Sequence, residues 1–327
     1  MQSGQTLSLI VPAFNEQDNI EPFYVRAKEA FANSAIKLQV VFIDDGSTDE
    51  TYNKMLLVGE SSKNDSDTAV TALSFSRNFG KESALYAGLK HATGDYCCFI
   101  DSDLQQRPET AREMLELLMN HSEYDIVAAY QEKRSGNPLT ARLSSWFYGL
   151  LGKTSGMDNL VADASDFRVF RKEVAEALTD MSEYYRFTKG LFAWVGFRTL
   201  PFPYQADERH SGETSWSFFK LVKYALNGIM SFTTLPLRVA TYLGLATSFA
   251  AIVYLVVVVL QRLILGVDVP GYATIVALLL CLGGIQLLVL GIIGEYLARV
   301  YIQGKNRPVF ILRANHEFGG GNNTNDK

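Results

Sequence analysis

Apolar and polar positions follow two different periods along the first 180 residues. Short runs rich in β-branched and aromatic residues at 7–13, 38–43, 69–75, 96–100, 124–129 and 166–170 each stop at a polar cluster. Such runs predict strands buried on both faces. Between them, apolar positions recur at helical spacing from Ile20 to Phe31 and from Lys81 to Ala92. A further helix is expected from Pro108, with apolar positions at Met114, Leu117 and Leu118. Strands alternating with helices imply right-handed crossovers and a largely parallel sheet. The polar clusters then fall together outside the carboxyl ends of the strands, where open α/β sheets bind ligands.

Beyond residue 238 the pattern changes. Val239 to Gln261 and Val269 to Gly294 contain no charged residue, and each is long enough to cross a bilayer as a helix. Only Arg262 to Asp268 lies between them, so the two spans form a hairpin with both ends on one side. Lys220, Lys223 and Arg238 precede it, and Arg299, Lys305, Arg307 and Arg313 follow. The positive-inside rule puts those flanks in the cytoplasm, Arg262 being the exception. Phe218 to Phe232 reads as an amphipathic helix lying on the membrane surface. Gly284, Gly291 and Gly294 share a helix face, where close helix contact is expected. The expected organisation is a cytoplasmic domain at 1–215, interface helices at 216–236, the two spans within 237–298 and a cytoplasmic tail at 299–327. The protein is expected in the inner (cytoplasmic) membrane as a multi-pass protein.

Composition narrows the chemistry. A formal net charge of −5 over 327 residues argues against a general nucleic-acid binder. Cys97, Cys98 and Cys281 give neither a disulfide framework nor metal-ligand spacing, and the four histidines are scattered. The N-terminal residues lack the basic-then-apolar pattern of a signal peptide. Neither a P-loop nor a G-x-G-x-x-G fingerprint occurs.

The candidate chemistry sits at the expected strand ends. Asp101-Ser102-Asp103-Leu104-Gln105 offers two carboxylates and an amide oxygen to one hard cation, Mg²⁺ or Mn²⁺. An isolated Asp-x-Asp is also an ordinary turn or helix cap. Asp44 and Asp45 have the acceptors a base or ribose needs, and Ser47 or Thr48 beside them fits a helix N-cap. Arg77 and Lys81 place cations suited to a diphosphate on the same edge.

Taken together, Val11-Pro12-Ala13-Phe14-Asn15-Glu16, Ile43-Asp44-Asp45-Gly46-Ser47-Thr48-Asp49, Arg77-Asn78-Phe79-Gly80-Lys81 and Asp101-Ser102-Asp103-Leu104-Gln105 resemble the ordered motifs of glycosyltransferase family 2. The branch they resemble is the polyprenyl-phosphate glycosyltransferases, which includes dolichol-phosphate mannose synthase and bactoprenol glucosyltransferases. The resemblance spans residues 7 to 315. It implies a GT-A fold of the α/β class followed by the transmembrane hairpin, a nucleotide-sugar donor and a divalent cation. It assigns the donor to Pro12, Asn15, Glu16, Asp44, Asp45, Arg77, Lys81 and Asp101, and the metal to Asp101, Asp103 and Gln105. The acceptor's lipid phosphate falls to Arg134, Arg142, Ser145 and Arg209, and Asp166 contacts sugar or acceptor. Catalysis is thereby expected from Asp101, Asp103, Asp166 and Arg209. Three positions depart from the family pattern: Arg107 where proline is common, Ser165 in place of a glycine, and Ser215 in place of a lysine.

The implied reaction is inverting transfer of a hexose, foremost glucose from UDP-glucose, to undecaprenyl phosphate at the cytoplasmic face. Its product is a lipid-linked sugar for cell-envelope or O-antigen modification. Other nucleotide sugars on the same lipid are the nearest rival, and a catalytically silent nucleotide-sugar-binding scaffold is the rival from another class. A homo-oligomer is the expected assembly, a tetramer among the options.

Overall fold

The computed structural model describes residues 4–32, 34–131, 164–205, 230–231, 233–265 and 271–319. Contacts divide the chain into two units, Met1–Tyr224 with Pro308–Lys327, and Ala225–Arg307.

The first unit is built on one eight-stranded sheet. Its strands are β1 (Thr6–Ala13), β2 (Lys37–Asp44), β3 (Thr68–Phe75), β4 (Tyr96–Phe99), β5 (Ile126–Gln131), β6 (Ala164–Arg171), β7 (Thr199–Tyr204) and β8 (Leu312–Phe318). They lie in the order β7-β5-β6-β4-β1-β2-β3-β8. The apolar runs of β1, β2 and β4 are buried along nearly their whole length because helices cover both faces. Those helices are α1 (Ile20–Phe31), α2 (Thr51–Ser62), α3 (Lys81–His91), α4 (Pro108–Asn120), α5 (Lys172–Asp180) and α6 (Thr188–Trp194). In α1 the buried residues Ile20, Phe23, Tyr24, Ala27, Ala30 and Phe31 recur at helical spacing and form one apolar stripe. Pro108 opens α4 as expected, since a first-turn residue needs no N–H partner.

The strand directions refine the expectation of a largely parallel sheet. β1 runs parallel to β2 and β4, β2 to β3, and β5 to β7. β6 is antiparallel to both β4 and β5. That reversal brings the start of β6 to the edge where β4 ends. Phe99 pairs with Arg168, and continuing the register by two residues sets Asp101 opposite Asp166.

The segment after the hairpin returns to this sheet. β8 adds antiparallel to β3, and Ser76 N donates to Ile311 O at 3.0 Å. Phe310 stacks on Phe75, with ring centroids 5.2 Å apart. Phe318 packs over Gly59, where a Cβ would stand 2.2 Å from its ring. One sequence expectation fails here. Neither Ser47 nor Thr48 caps a helix, because α2 begins three residues later, at Thr51, with Glu50 as its N-cap residue.

The second unit holds two long helices, α7 (Leu235–Leu265) and α8 (Tyr272–Gly304). Their apolar spans are Leu235–Gln261 and Ala277–Gly304, with mean hydropathy 2.5 and 2.4. A 27-residue helix is about 40 Å long, more than the roughly 30 Å of bilayer hydrocarbon. α7 passes the uncharged stretch at 239–261 at both ends and carries on through four residues of the expected turn, and α8 continues ten residues beyond Gly294. Within this unit Tyr296 Oη donates to Thr233 O at 2.7 Å and Arg299 Nη1 donates to Ser231 Oγ at 3.0 Å. Among the described residues the expected close contact at Gly284, Gly291 and Gly294 is not made: a Cβ at any of them would meet nothing within 4 Å.

Candidate active site

The polar clusters that follow β1, β2, β3 and β4 meet on one edge of the sheet and are laced together by side chains. Asn15, held at φ 56°, donates its backbone N–H to Ser47 Oγ at 2.9 Å, and its Oδ1 accepts from Thr48 N at 2.9 Å. Glu16 N donates to Thr51 Oγ1 at 2.9 Å, and Glu50 N donates to Gln17 Oε1 at 3.0 Å. Asn15 and Glu16, expected at the donor, therefore also fasten the loop after β1 to the loop after β2. Pro12, the third expected residue of that motif, lies within β1 opposite Ile43.

Asp44 and Asp45 are both buried. Asp44 sits opposite Ser74 in the β2–β3 register and accepts from Ser74 Oγ at 2.8 Å through Oδ2. Its Oδ1 accepts from Ser47 N at 2.8 Å. Asp45 reaches across to the loop after β3. Its Oδ1 accepts from Phe79 N at 2.6 Å, and Oδ2 accepts from Gly80 N at 2.9 Å. Burial pushes the Asp45 carboxyl up to about 6, against the pull of those two N–H donors. The turn is tight because Gly46 takes φ 71° and backs onto the Arg77 backbone. The Arg77 guanidinium lies over the Phe79 ring, 4.0 Å from its centroid.

The Asp101 turn is organised from within and from outside. Leu104 adopts φ 62°, which turns the chain between the two carboxylates and the glutamines. Gln106, unremarked in the sequence, accepts from Asp101 N at 3.0 Å. Asp103 is 6% exposed and accepts from Gln105 N at 3.1 Å. From outside comes Lys81, the first residue of α3. Its Nζ lies 2.6 Å from Asp101 Oδ1 and 3.4 Å from Asp166 Oδ2. Against the burial that would lower it, Asp101 and then Asp166 hold the Lys81 ammonium above the ordinary lysine value. Burial would raise Asp166, but Lys81 and Lys189 hold it below the usual carboxylate range. Lys189 Nζ stands 3.9 Å from Asp166 Oδ1.

Ser165, where the family has glycine, accepts from Phe167 N at 2.9 Å through Oγ and so shapes the turn before Asp166. Glu82 accepts from Thr188 N at 2.9 Å and from Thr188 Oγ1. Burial and then Asp166 push its carboxyl up to about 7. Glu82, Gln106, Thr188 and Lys189 carried no signal in the sequence, since each lies outside the quoted motifs or in a helix too short to show a period. Arg134, Arg142, Ser145 and Arg209, expected at the acceptor phosphate, lie outside the described residues, as does Ser215.

The donor set of the Asp101 turn fits a hard divalent cation, with two carboxylates and an amide oxygen within five residues. Among the described residues no group of three His, Cys, Asp or Glu side chains converges as a metal site. An ion there would rely on the amide oxygen as well as Asp101 and Asp103, and would face Lys81 for the charge of Asp101.

A family model described as glycosyl transferase family 2 matches residues 8–179. A second, described as the GtrB C-terminal hairpin, matches residues 235–300. The chain is 38% identical over 307 residues to the prophage bactoprenol glucosyl transferase homolog of Escherichia coli (strain K12), covering 94% of this chain and 98% of that protein. It is 37% identical over 310 residues to the SfII prophage-derived bactoprenol glucosyl transferase of Shigella flexneri, covering 95% and 98%. Among solved structures it is similar to glucosyl-3-phosphoglycerate synthase from Mycobacterium tuberculosis in complex with Mn²⁺, UDP-glucose and phosphoglyceric acid. That match has a TM-score of 0.50 and 18% identity, covers 71% of this chain and 79% of the other, and is a likeness of fold.

Proposed function

The chain belongs to glycosyltransferase family 2 and carries a GtrB-type hairpin at residues 235–300, and from that premise we propose that it moves glucose from UDP-glucose to undecaprenyl phosphate at the cytoplasmic membrane face. The observation that carries the reading is the meeting of Asp101 and Asp166 around Lys81, on the edge that also bears Asp44, Asp45 and Arg77. The relatives named as bactoprenol glucosyl transferases support the lipid acceptor and the sugar.

In this reading Asp44 and Asp45 shape the nucleoside pocket and offer it the lone pairs their internal hydrogen bonds leave over. Arg77 and Lys81 meet the diphosphate. Asp101, Asp103 and Gln105 hold a divalent cation, Mg²⁺ or Mn²⁺, and when bound it supplies Lewis-acid neutralisation of the departing diphosphate. Arg134, Arg142, Ser145 and Arg209 bind the acceptor phosphate, and Asp166 orients the groups between the two substrates. The acceptor oxygen is already anionic at neutral pH, so the reaction depends on positioning and charge more than on a general base. Attack opposite the leaving diphosphate inverts the anomeric centre.

The test is to incubate the purified full-length protein in detergent with undecaprenyl phosphate and a panel of nucleotide sugars. A lipid-linked hexose formed with UDP-glucose, with stoichiometric release of UDP, is the expected result. Product from another donor alone would correct the sugar, and no lipid product from any donor would overturn the activity.

A further inference from the structure

The site contains a chain of alternating charges whose far end lies outside any family motif. It runs Lys189–Asp166–Lys81–Asp101, with separations of 3.9, 3.4 and 2.6 Å. Its geometry is fixed by the two helices that carry the lysines. Lys81 and Glu82 open α3, and Thr188 and Lys189 open α6. Glu82 accepts both the N–H and the hydroxyl of Thr188, which latches one helix start to the other. The neighbouring lysines then approach Asp166 through different oxygens, Lys81 at Oδ2 and Lys189 at Oδ1. Asp166 is held at both ends, and Lys81 is shared.

That sharing has a consequence for the neighbouring turn. Lys81 neutralises Asp101, and a divalent cation on Asp101 must displace or repel that ammonium, because like charges a few ångströms apart in a partly buried site oppose one another strongly. Lys81 has an alternative seat within reach. It lies 3.4 Å from Asp166 already, and its four-carbon stem is flexible. How good that seat is depends on how much of the Asp166 charge Lys189 has taken.

We propose that Lys81 is a built-in counter-cation that swings from Asp101 onto Asp166 as the Asp101/Asp103/Gln105 turn takes up a divalent cation, and that Lys189, through Asp166, sets the metal affinity. The inference rests on the proposed metal site. Asp166 and Lys189 are positioning residues in it: they act on Asp101 through Lys81 rather than on the metal.

The experiment is a Mn²⁺ titration of the full-length protein in detergent, with and without UDP, following the free-ion signal by electron paramagnetic resonance. Lys81→Met should bind Mn²⁺ more tightly, by roughly tenfold, since the competitor is gone. Asp166→Asn should bind it roughly tenfold more weakly, because Lys81 loses its other seat. Lys189→Met should tighten binding a few-fold, and Lys189→Arg should restore the wild-type value. In the Lys81→Met background both the Asp166→Asn and the Lys189→Met effects should shrink below about twofold, as coupling through one residue requires. Full-sized effects persisting in that background would overturn the proposal, since they would mean the two charges act directly on the ion. Lys81→Gln replaces Lys81→Met should the latter not fold. Asp103→Asn separates the two levels of the argument: it should abolish Mn²⁺ uptake. Uptake unaltered by Asp103→Asn, or none by the wild type with or without UDP, would overturn the metal site itself.

Discussion

Asp45→Ala is the perturbation whose outcome the structure specifies most closely. The carboxylate is 4% exposed and accepts from the backbone N–H groups of Phe79 and Gly80. A hydrogen bond to a charged group is worth about 1.5–3 kcal/mol, so two of them hold the loop with roughly 3–6 kcal/mol. Against this stands the cost of keeping the carboxylate ionised in a buried place. The carboxyl rises from 3.8 to about 6 even with those two donors in place, so burial outweighs them at neutral pH. Alanine removes the hydrogen bonds and the buried charge together, so global stability should change little. The local effect is larger, because the two amides lose their acceptor. Hydrogen exchange at Phe79 and Gly80 should accelerate roughly ten- to a hundredfold, while exchange in β1 and β2 stays as in the wild type. The same loosening carries Lys81 and Arg77 away from the donor, so KM for UDP-glucose should rise about tenfold or more with KM for the lipid nearly unchanged. Unaltered protection of Phe79 and Gly80 in the alanine variant would refute the tethering role. A lost donor site with intact protection would make Asp45 a direct nucleoside ligand instead.

Three further outcomes are expected. Gly46→Ala should destabilise far more than Gly80→Ala: both have positive φ, but only at Gly46 would a Cβ stand 2.4 Å from the Arg77 backbone carbon, and thermal melts of the two variants check the ranking. Asp45 and Glu82 have folded-state values raised to about 6 and about 7, so their contribution to stability is present below about pH 4 and lost as pH rises through about 6 to 7. Melting points measured from pH 5 to 8 should show that loss, and Glu82→Gln should flatten its upper part; a wild-type slope surviving in Glu82→Gln would assign the loss elsewhere. Arg142→Ala should lower kcat/KM for the lipid phosphate roughly ten- to a hundredfold while leaving UDP-sugar binding intact, with lysine rescuing only in part; steady-state kinetics in each substrate decides it.

Periodicity was enough to find β1 to β5, α1, α3 and α4, because strands buried on both faces read as continuous apolar runs and amphipathic helices leave a stripe. It carried no direction, and so left open that β6 runs antiparallel. Yet that reversal is what sets Asp166 beside Asp101. The two edge strands were hidden for different reasons. β7 contains Pro201 and Pro203, which argue against a strand anywhere but at an edge. β8 is largely polar and shows its anchoring only in space, where Phe318 fills the hollow over Gly59. The motifs located Asp44, Asp45, Lys81 and Asp101 on one edge, but not what each side chain holds. That Asp45 belongs to the Phe79 and Gly80 amides, and that Lys81 is divided between two carboxylates, depends on loop approach that no spacing in the chain encodes.

The way the site spends its carboxylates bears on the kind of acceptor it suits. Asp44 accepts from Ser47 and Ser74, Asp45 from two backbone amides, and Asp101 and Asp166 are each paired with a lysine. A general base for a sugar hydroxyl would need a carboxylate or imidazole with a proton-accepting lone pair aimed at the acceptor and a folded-state value near neutrality. Asp166 is moved the other way, held below the usual range once its lysines offset burial. Glu82 and Asp45, raised to about 7 and about 6, are turned to Thr188 and to the Phe79 and Gly80 amides. These groups are arranged to fix cations and loops in place. An acceptor that arrives already ionised asks for that arrangement, because its own oxygen is the nucleophile and the protein has only to bring it, against charge repulsion, to a donor whose diphosphate is equally negative. A neutral alcohol presented to the same site would find its neighbours well placed but none of these four aspartates set to take its proton, which is the physical reason to expect phosphate acceptors and not hydroxyls to turn over.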